Sequence, residues 1–178
     1  MANKKLLARG QLIVTLEDEL SIKILDKYTV THLIKASGYS RSTVYNHFEY
    51  IDELYQCYFE EVVIPRIIVD CQSYDDIVIA SIDFILLNRV LCLNLYHLNE
   101  FMHRENYLIN MFADAFNNHE IPLNKLDENQ RHLMSGVTFV LRTWFESKFR
   151  ANRDEVITQL HEQGKVIKQY KKALYTEI

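Results

Sequence analysis

Turn-forming residues are scarce in this chain, whose 178 residues include four glycines and two prolines. An antiparallel β-fold needs a turn signal every eight to twelve residues or so. So little turn chemistry disfavours such a fold and leaves an all-α architecture as the expected class. Cysteine is equally sparse. Cys57, Cys71 and Cys92 are odd in number, lie in or beside apolar stretches and lack metal-ligand spacing. They read as reduced, small hydrophobes rather than a disulfide frame or a zinc site. Long apolar runs are missing as well: IVIASIDFILL is broken by Asp83 and falls short of the ~20 residues that span a bilayer. The amino terminus has two lysines but no apolar core followed by small residues, so no signal peptide and no membrane partner are expected. The expected location is cytoplasmic.

An excess of positive charge is also lacking. The formal charge is −4; residues 1–65 carry seven Lys/Arg against nine Asp/Glu, and residues 66–178 carry thirteen against fifteen. A general basic coat for nucleic acid is therefore excluded, and any such binding has to use a local cationic surface. The candidates are Lys4, Lys5, Arg9, Lys35 and Arg41, with Glu53, Glu60 and Glu61 required to lie away from phosphates. Enzyme signatures are absent too. No glycine-rich phosphate loop, Gly-x-Ser-x-Gly elbow or His-Glu-x-x-His helix occurs, and Asp75-Asp76 reads as a helix start rather than an acid–base pair. His97 and His103 are six apart, which on a helix puts them on different faces. Neither an enzyme, a metal nor a cofactor is expected.

What is present is concentrated in residues 28–54, YTVTHLIKASGYSRSTVYNHFEYIDEL. Thr29 is placed to cap a helix whose Val30, Leu33 and Ile34 face inward, and Gly38 supplies the left-handed residue that ends it. Ser40 caps a second short helix with Val44 and Phe48 inward. A helix pair with a tight glycine turn is the geometry that seats one helix in a DNA major groove. Upstream, Leu12, Ile13, Leu16 and Leu20 predict a helix over 4–22. Downstream, a helix is predicted from about 50 to Pro65, where the chain is expected to divide. Ser73-Tyr74-Asp75-Asp76 predicts a capping box opening a helix to about 88. Segments at 90–98 and 102–118 follow, then a loop over 117–122, and finally two long helices at about 127–150 and 153–174.

Through Thr29-Val30, Leu33-Ile34, Ala36-Ser37-Gly38-Tyr39-Ser40-Arg41-Ser42-Thr43-Val44-Tyr45-Asn46-His47-Phe48 and Leu54, the chain resembles tetracycline-repressor (TetR) family transcriptional regulators. The match fixes order and spacing over about fifty amino-terminal residues. Beyond them it concerns layout alone, although residues 84–89 and 140–145 look similar to the subgroup near the dihydroxyacetone-kinase regulators. The resemblance implies a three-helix DNA-binding head over 1–50, a linking helix over 50–65, and a regulatory and dimerisation domain over 66–178. It implies a homodimer formed through the last two helices, a palindromic double-stranded operator and a small-molecule effector, with repression the more frequent outcome. Carried over by position, Arg41, Ser42, Thr43 and Asn46 lie towards base edges, and Thr29, Tyr45 and His47 towards phosphates. Phe48 anchors the head, while Ser40 and Lys35 complete the DNA-facing set.

One departure stands out. Family members commonly carry a lysine three residues after the closing phenylalanine, where this chain has Ile51, with Glu49 just upstream. A missing cation beside an anion lowers non-specific affinity. Either Lys4, Lys5 and Arg9 act as an amino-terminal arm, or the chain is a co-regulator that keeps the scaffold and acts through a protein partner. The aromatic-rich second half suggests an apolar effector pocket, with Phe84, Tyr96, Phe112 and Trp144 as candidate lining residues.

Overall fold

A computed structural model describes residues 2–99 and 128–176, with side chains described for residues 6–99, 132–167 and 169. Every regular element among the described residues is helical. In chain order they are α1 (Ala2–Ile22), α2 (Val30–Ser37), α3 (Arg41–Tyr45), α4 (Ile51–Tyr58), a π-helical turn (Phe59–Val63), α5 (Ile64–Ile68), α6 (Tyr74–Leu87), α7 (Arg89–Leu98), α8 (Glu128–Glu146) and α9 (Arg153–Thr176). The predicted helix at 102–118, the loop at 117–122 and the candidate pocket residue Phe112 lie outside the described residues. No described helix is long and apolar enough to cross a membrane.

The residues form two compact units, one of Met1–Arg66 with Asn88–Phe101, the other of Ile67–Leu87 with Met102–Ile178. The division after Arg66 falls one residue beyond the expected Pro65, but α7 belongs to the amino-terminal unit, which a purely linear division does not anticipate. The reason is tertiary: α7 packs along α1. Within this unit Leu12, Leu16 and Leu20 of α1 are fully buried at four-residue spacing, the stripe a helix buries against its neighbours. Asn94 of α7 is also fully buried. Its Nδ2 donates to Leu20 O at 2.7 Å and Lys23 O at 2.8 Å, while its Oδ1 accepts from Leu25 N at 2.9 Å. One side chain thus satisfies the open carbonyls at the end of α1 and fixes the strand of chain that leads into α2.

Pro65 does not end its helix; it is the second residue of α5. A proline ring clashes with the carbonyl four residues back and has no N–H to donate. The π turn before it resets the ladder, with Ile64 N–H donating to Phe59 O five residues back. The widened turn relieves the conflict that was expected to stop the helix.

In the second unit α9 packs on both α8 and α6. Ser73 opens α6 as predicted: its Oγ accepts from Asp76 N at 3.1 Å, and Asp76 Oδ2 accepts from Ser73 Oγ at 2.8 Å and from Gln72 N at 3.1 Å. Tyr74 Oη donates to Leu160 O at 2.9 Å, and a Cβ on Gly164 would strike the Tyr74 ring, so this glycine permits the close approach of α6 and α9. Arg153 at the head of α9 forks onto Asp83 of α6, Nε to Oδ1 at 2.5 Å and Nη2 to Oδ2 at 2.9 Å.

Between α8 and α9 the chain makes a Schellman turn. Phe149 N donates to Trp144 O and Lys148 N to Phe145 O, each at 2.9 Å. The Trp144 and Phe149 rings pack edge-on with centroids 4.8 Å apart, which is the apolar contact that accompanies such a turn.

Candidate nucleic-acid interface

The segment 29–50 is assembled from local rules. His32 Nδ1 accepts from Thr29 N at 3.1 Å, so a histidine takes the place of the acidic partner usual in a capping box. Gly38 adopts φ 72° and its N–H returns to Ile34 O at 3.1 Å, closing α2. Ser40 Oγ accepts from Thr43 N at 3.1 Å and opens α3. That oxygen also lies 2.9 Å from Ser42 Oγ and 2.8 Å from Thr43 Oγ1, so the three hydroxyls form a small hydrogen-bonded cluster. After α3 the chain tightens, with His47 N and Phe48 N both donating to Val44 O at 3.0 Å.

Burial divides this segment into two faces. Leu33, Val44 and Phe48 are buried, while Arg41, Ser42, Tyr45 and Asn46 are exposed. Lys35 and Ser40 are exposed too, and Thr29, Thr43 and His47 are half-buried. The structure therefore gathers the expected residues along α2, the turn and α3, with the apolar positions turned inward. Val30 and Ile34, expected to face inward with Leu33, are half-buried. The Arg41 guanidinium sits over the Tyr45 ring, 5.7 Å from its centroid. Neither Arg41 nor Lys35 makes an ion pair among the described residues.

Compared with known proteins, the chain matches no family model and no curated protein.

Arg9 departs from its expected place as an arm cation. Nη1 donates to Glu61 Oε2 at 2.6 Å and Nη2 to Glu61 Oε1 at 2.5 Å, while Nη2 also reaches Cys57 Sγ at 2.8 Å. Its guanidinium stands 5.9 Å from the centroid of the Phe48 ring. The physical reason is a bidentate fork: a carboxylate at this distance outcompetes solvent for the charge. The Glu61 hydrogen bond pushes the Arg9 pKa further up and holds the Glu61 carboxyl below the usual carboxylate range. Burial pushes the neighbouring Cys57 thiol up to about 11 even beside that cation, so it is an inert packing group. Acidic groups also stand at the start of α4, where Glu53 Oε2 accepts from Glu49 N at 2.7 Å.

The described candidate pocket residues fall in both units. Tyr96 is buried in the amino-terminal unit, whereas Phe84, half-buried, and Trp144, buried, belong to the other. Trp144 acts as a staple: its Nε1 donates to Ala151 O at 2.9 Å across the α8–α9 turn. A depression of about 400 Å³ does occur in the second unit, lined by His132, Gly136, Phe139 and Arg142 of α8 and Gln163 of α9, among others. Phe84, Tyr96 and Trp144 are not among its described lining residues. Sequence reasoning also passed over Asn94, although a single amide in the apolar run LCLNLY is a signal, because a buried polar group needs partners.

Proposed function

We propose that this chain is a DNA-binding transcriptional regulator of the tetracycline-repressor kind, acting as a homodimer on a palindromic operator. One observation carries the reading: α3 rests on buried Val44 and Phe48 and turns Arg41, Ser42, Tyr45 and Asn46 outward, just after a helix closed by left-handed Gly38. A short polar helix on its own apolar base suits entry into a major groove. An arginine fork there reads a guanine edge for ~1–3 kcal/mol of discrimination. Ser42, Thr43 and Asn46 add neutral hydrogen-bonding groups, and Thr29 and His47 flank them near the phosphates. In such a dimer two α3 helices face successive grooves about 34–36 Å apart. The pairing surface is the outer face of α8 and α9, where Phe139 is 68% exposed and Val166 44%. An effector acts by shifting the balance between dimers whose heads fit that spacing and dimers whose heads do not.

The test is selection of duplexes from a randomised pool by the full-length chain, followed by binding of Arg41→Ala to the recovered sequence. Loss of about ten-fold or more in selective binding, with helicity and melting temperature unchanged, is expected. Equal and equally selective binding by the variant would remove Arg41 from base reading.

A second reading is favoured by the clamped Arg9 and by Glu49 and Glu53 beside Ile51: a co-regulator that works through a protein partner. Salt titration separates the two. A steep fall of affinity with salt supports the first reading, and failure to recover any duplex with a well-folded dimer supports the second.

A further inference from the structure

We propose that Tyr45 is a platform that presents the Arg41 guanidinium to one guanine edge per half-site, and not a hydroxyl that contacts phosphate. The proposal rests on the reading of α3 as the groove-entering helix.

Arg41 and Tyr45 are the first and last residues of α3, one turn apart and so on one face. The guanidinium carbon lies 5.7 Å from the Tyr45 ring centroid, inside the range in which a cation is drawn to an aromatic face. Tyr45 is 43% exposed, so the pair sits at the surface where a duplex would meet it. Beside it, the Ser40, Ser42 and Thr43 hydroxyls are hydrogen-bonded among themselves, and none of them carries charge. Arg41 is the one charged group of α3, and its guanidinium carbon lies over the Tyr45 ring.

That placement gives the pair its function. A guanidinium drawn over a ring still has N–H groups to offer, and they match the two acceptors, O6 and N7, that guanine presents in the major groove. A free arginine gives up side-chain rotamer freedom when it docks, whereas one already laid on a ring gives up less. Tyr45 is accordingly a positioning residue for specificity. Its effect should appear only where a guanine is present to be read.

The experiment uses the full-length chain, the duplex recovered by selection, and the same duplex with each G·C pair replaced in turn by A·T. Affinities are compared for the unsubstituted chain, Tyr45→Phe, Tyr45→Ala and Arg41→Ala. A platform predicts that Tyr45→Phe keeps both affinity and selectivity. It predicts that Tyr45→Ala binds the selected duplex about two- to five-fold more weakly, and that this loss vanishes on the duplex whose critical guanine is gone. Equal weakening of Tyr45→Phe on every duplex would assign the hydroxyl to a phosphate and overturn the proposal. Unchanged binding by Tyr45→Ala would overturn it too. If Arg41→Ala keeps full selectivity, base reading by Arg41 fails and the platform fails with it. If no duplex is recovered, the regulator reading itself fails.

Discussion

At the scale of single residues, Asn94 ties together the joint between α1 and α2. Its amide meets two carbonyls and one N–H between Leu20 and Leu25, so it holds the end of α1 and the approach to α2 in one place. Asn94→Leu leaves those three backbone groups without their partner, and the expected cost is about 2–4 kcal/mol in urea denaturation. Asn94→Asp is expected to be no milder, because it sets a carboxylate oxygen against two carbonyls. A loss under about 0.5 kcal/mol for both variants would mean that the backbone finds other partners. Arg9 shows how far sequence context misleads about a lone charge. Near a run of lysines it reads as a solvated arm residue, yet Glu61, 52 positions away, takes it. Nothing within a few residues of Arg9 announces that pairing.

At the scale of elements, two joints carry strain or charge that can be tested. The Schellman turn after α8 places Lys148 at φ 53° and Phe149 at φ 61°, a region that costs a residue with a Cβ about 1–2 kcal/mol. Lys148 occupies the position where helices usually end in glycine. Lys148→Gly is expected to stabilise the chain by about 0.5–1 kcal/mol, net of the extra entropy of glycine when unfolded. An unchanged or lowered melting temperature would mean that the lysine makes a compensating contact.

The second joint is the π turn. The hydrogen bond from Arg9 depresses the Glu61 carboxyl, so its contribution to stability is complete above the ordinary glutamate pKa of about 4.3. It is lost as the pH falls through the depressed value. Glu61 is half exposed, so the pair is worth at most about 1 kcal/mol at neutral pH. Glu61→Gln is expected to lower the melting temperature slightly at pH 7 and to flatten its fall between about pH 5 and 3. Identical pH profiles for variant and parent would show that the pair contributes no linkage.

For the molecule as a whole, the two units impose different demands. The amino-terminal unit seats α3 on the buried Val44 and Phe48, while the second unit fastens α6 to α9 through Tyr74, Gly164 and the Arg153–Asp83 fork. A large aromatic at the surface is the notable feature of the second unit, since Phe139 is 68% exposed on α8. The proposed dimer covers it. The chain is then expected to scatter light as twice its 21.1 kDa mass, and Phe139→Glu is expected to shift it to the single-chain mass with helicity retained, because a charge buried without a partner is disfavoured. A dimer that survives this substitution would locate the pairing surface elsewhere.

By itself the sequence determined the features that depend on neighbours within a turn or two. The scarcity of glycine and proline pointed to helices, apolar spacing located α1, a capping box located α6, and Ser40, Ser73 and Gly38 marked the helix ends they occupy. These are legible because caps, left-handed closures and helical periodicity are set by residues three to four apart. Only the tertiary structure decided that α7 joins the amino-terminal unit, that Pro65 continues a helix behind a π turn, that Glu61 takes Arg9, and that Trp144 closes a turn. Each depends on which surfaces meet across long stretches of chain. That outcome is fixed by packing and by the pairing of buried or competing polar groups, which no local pattern records.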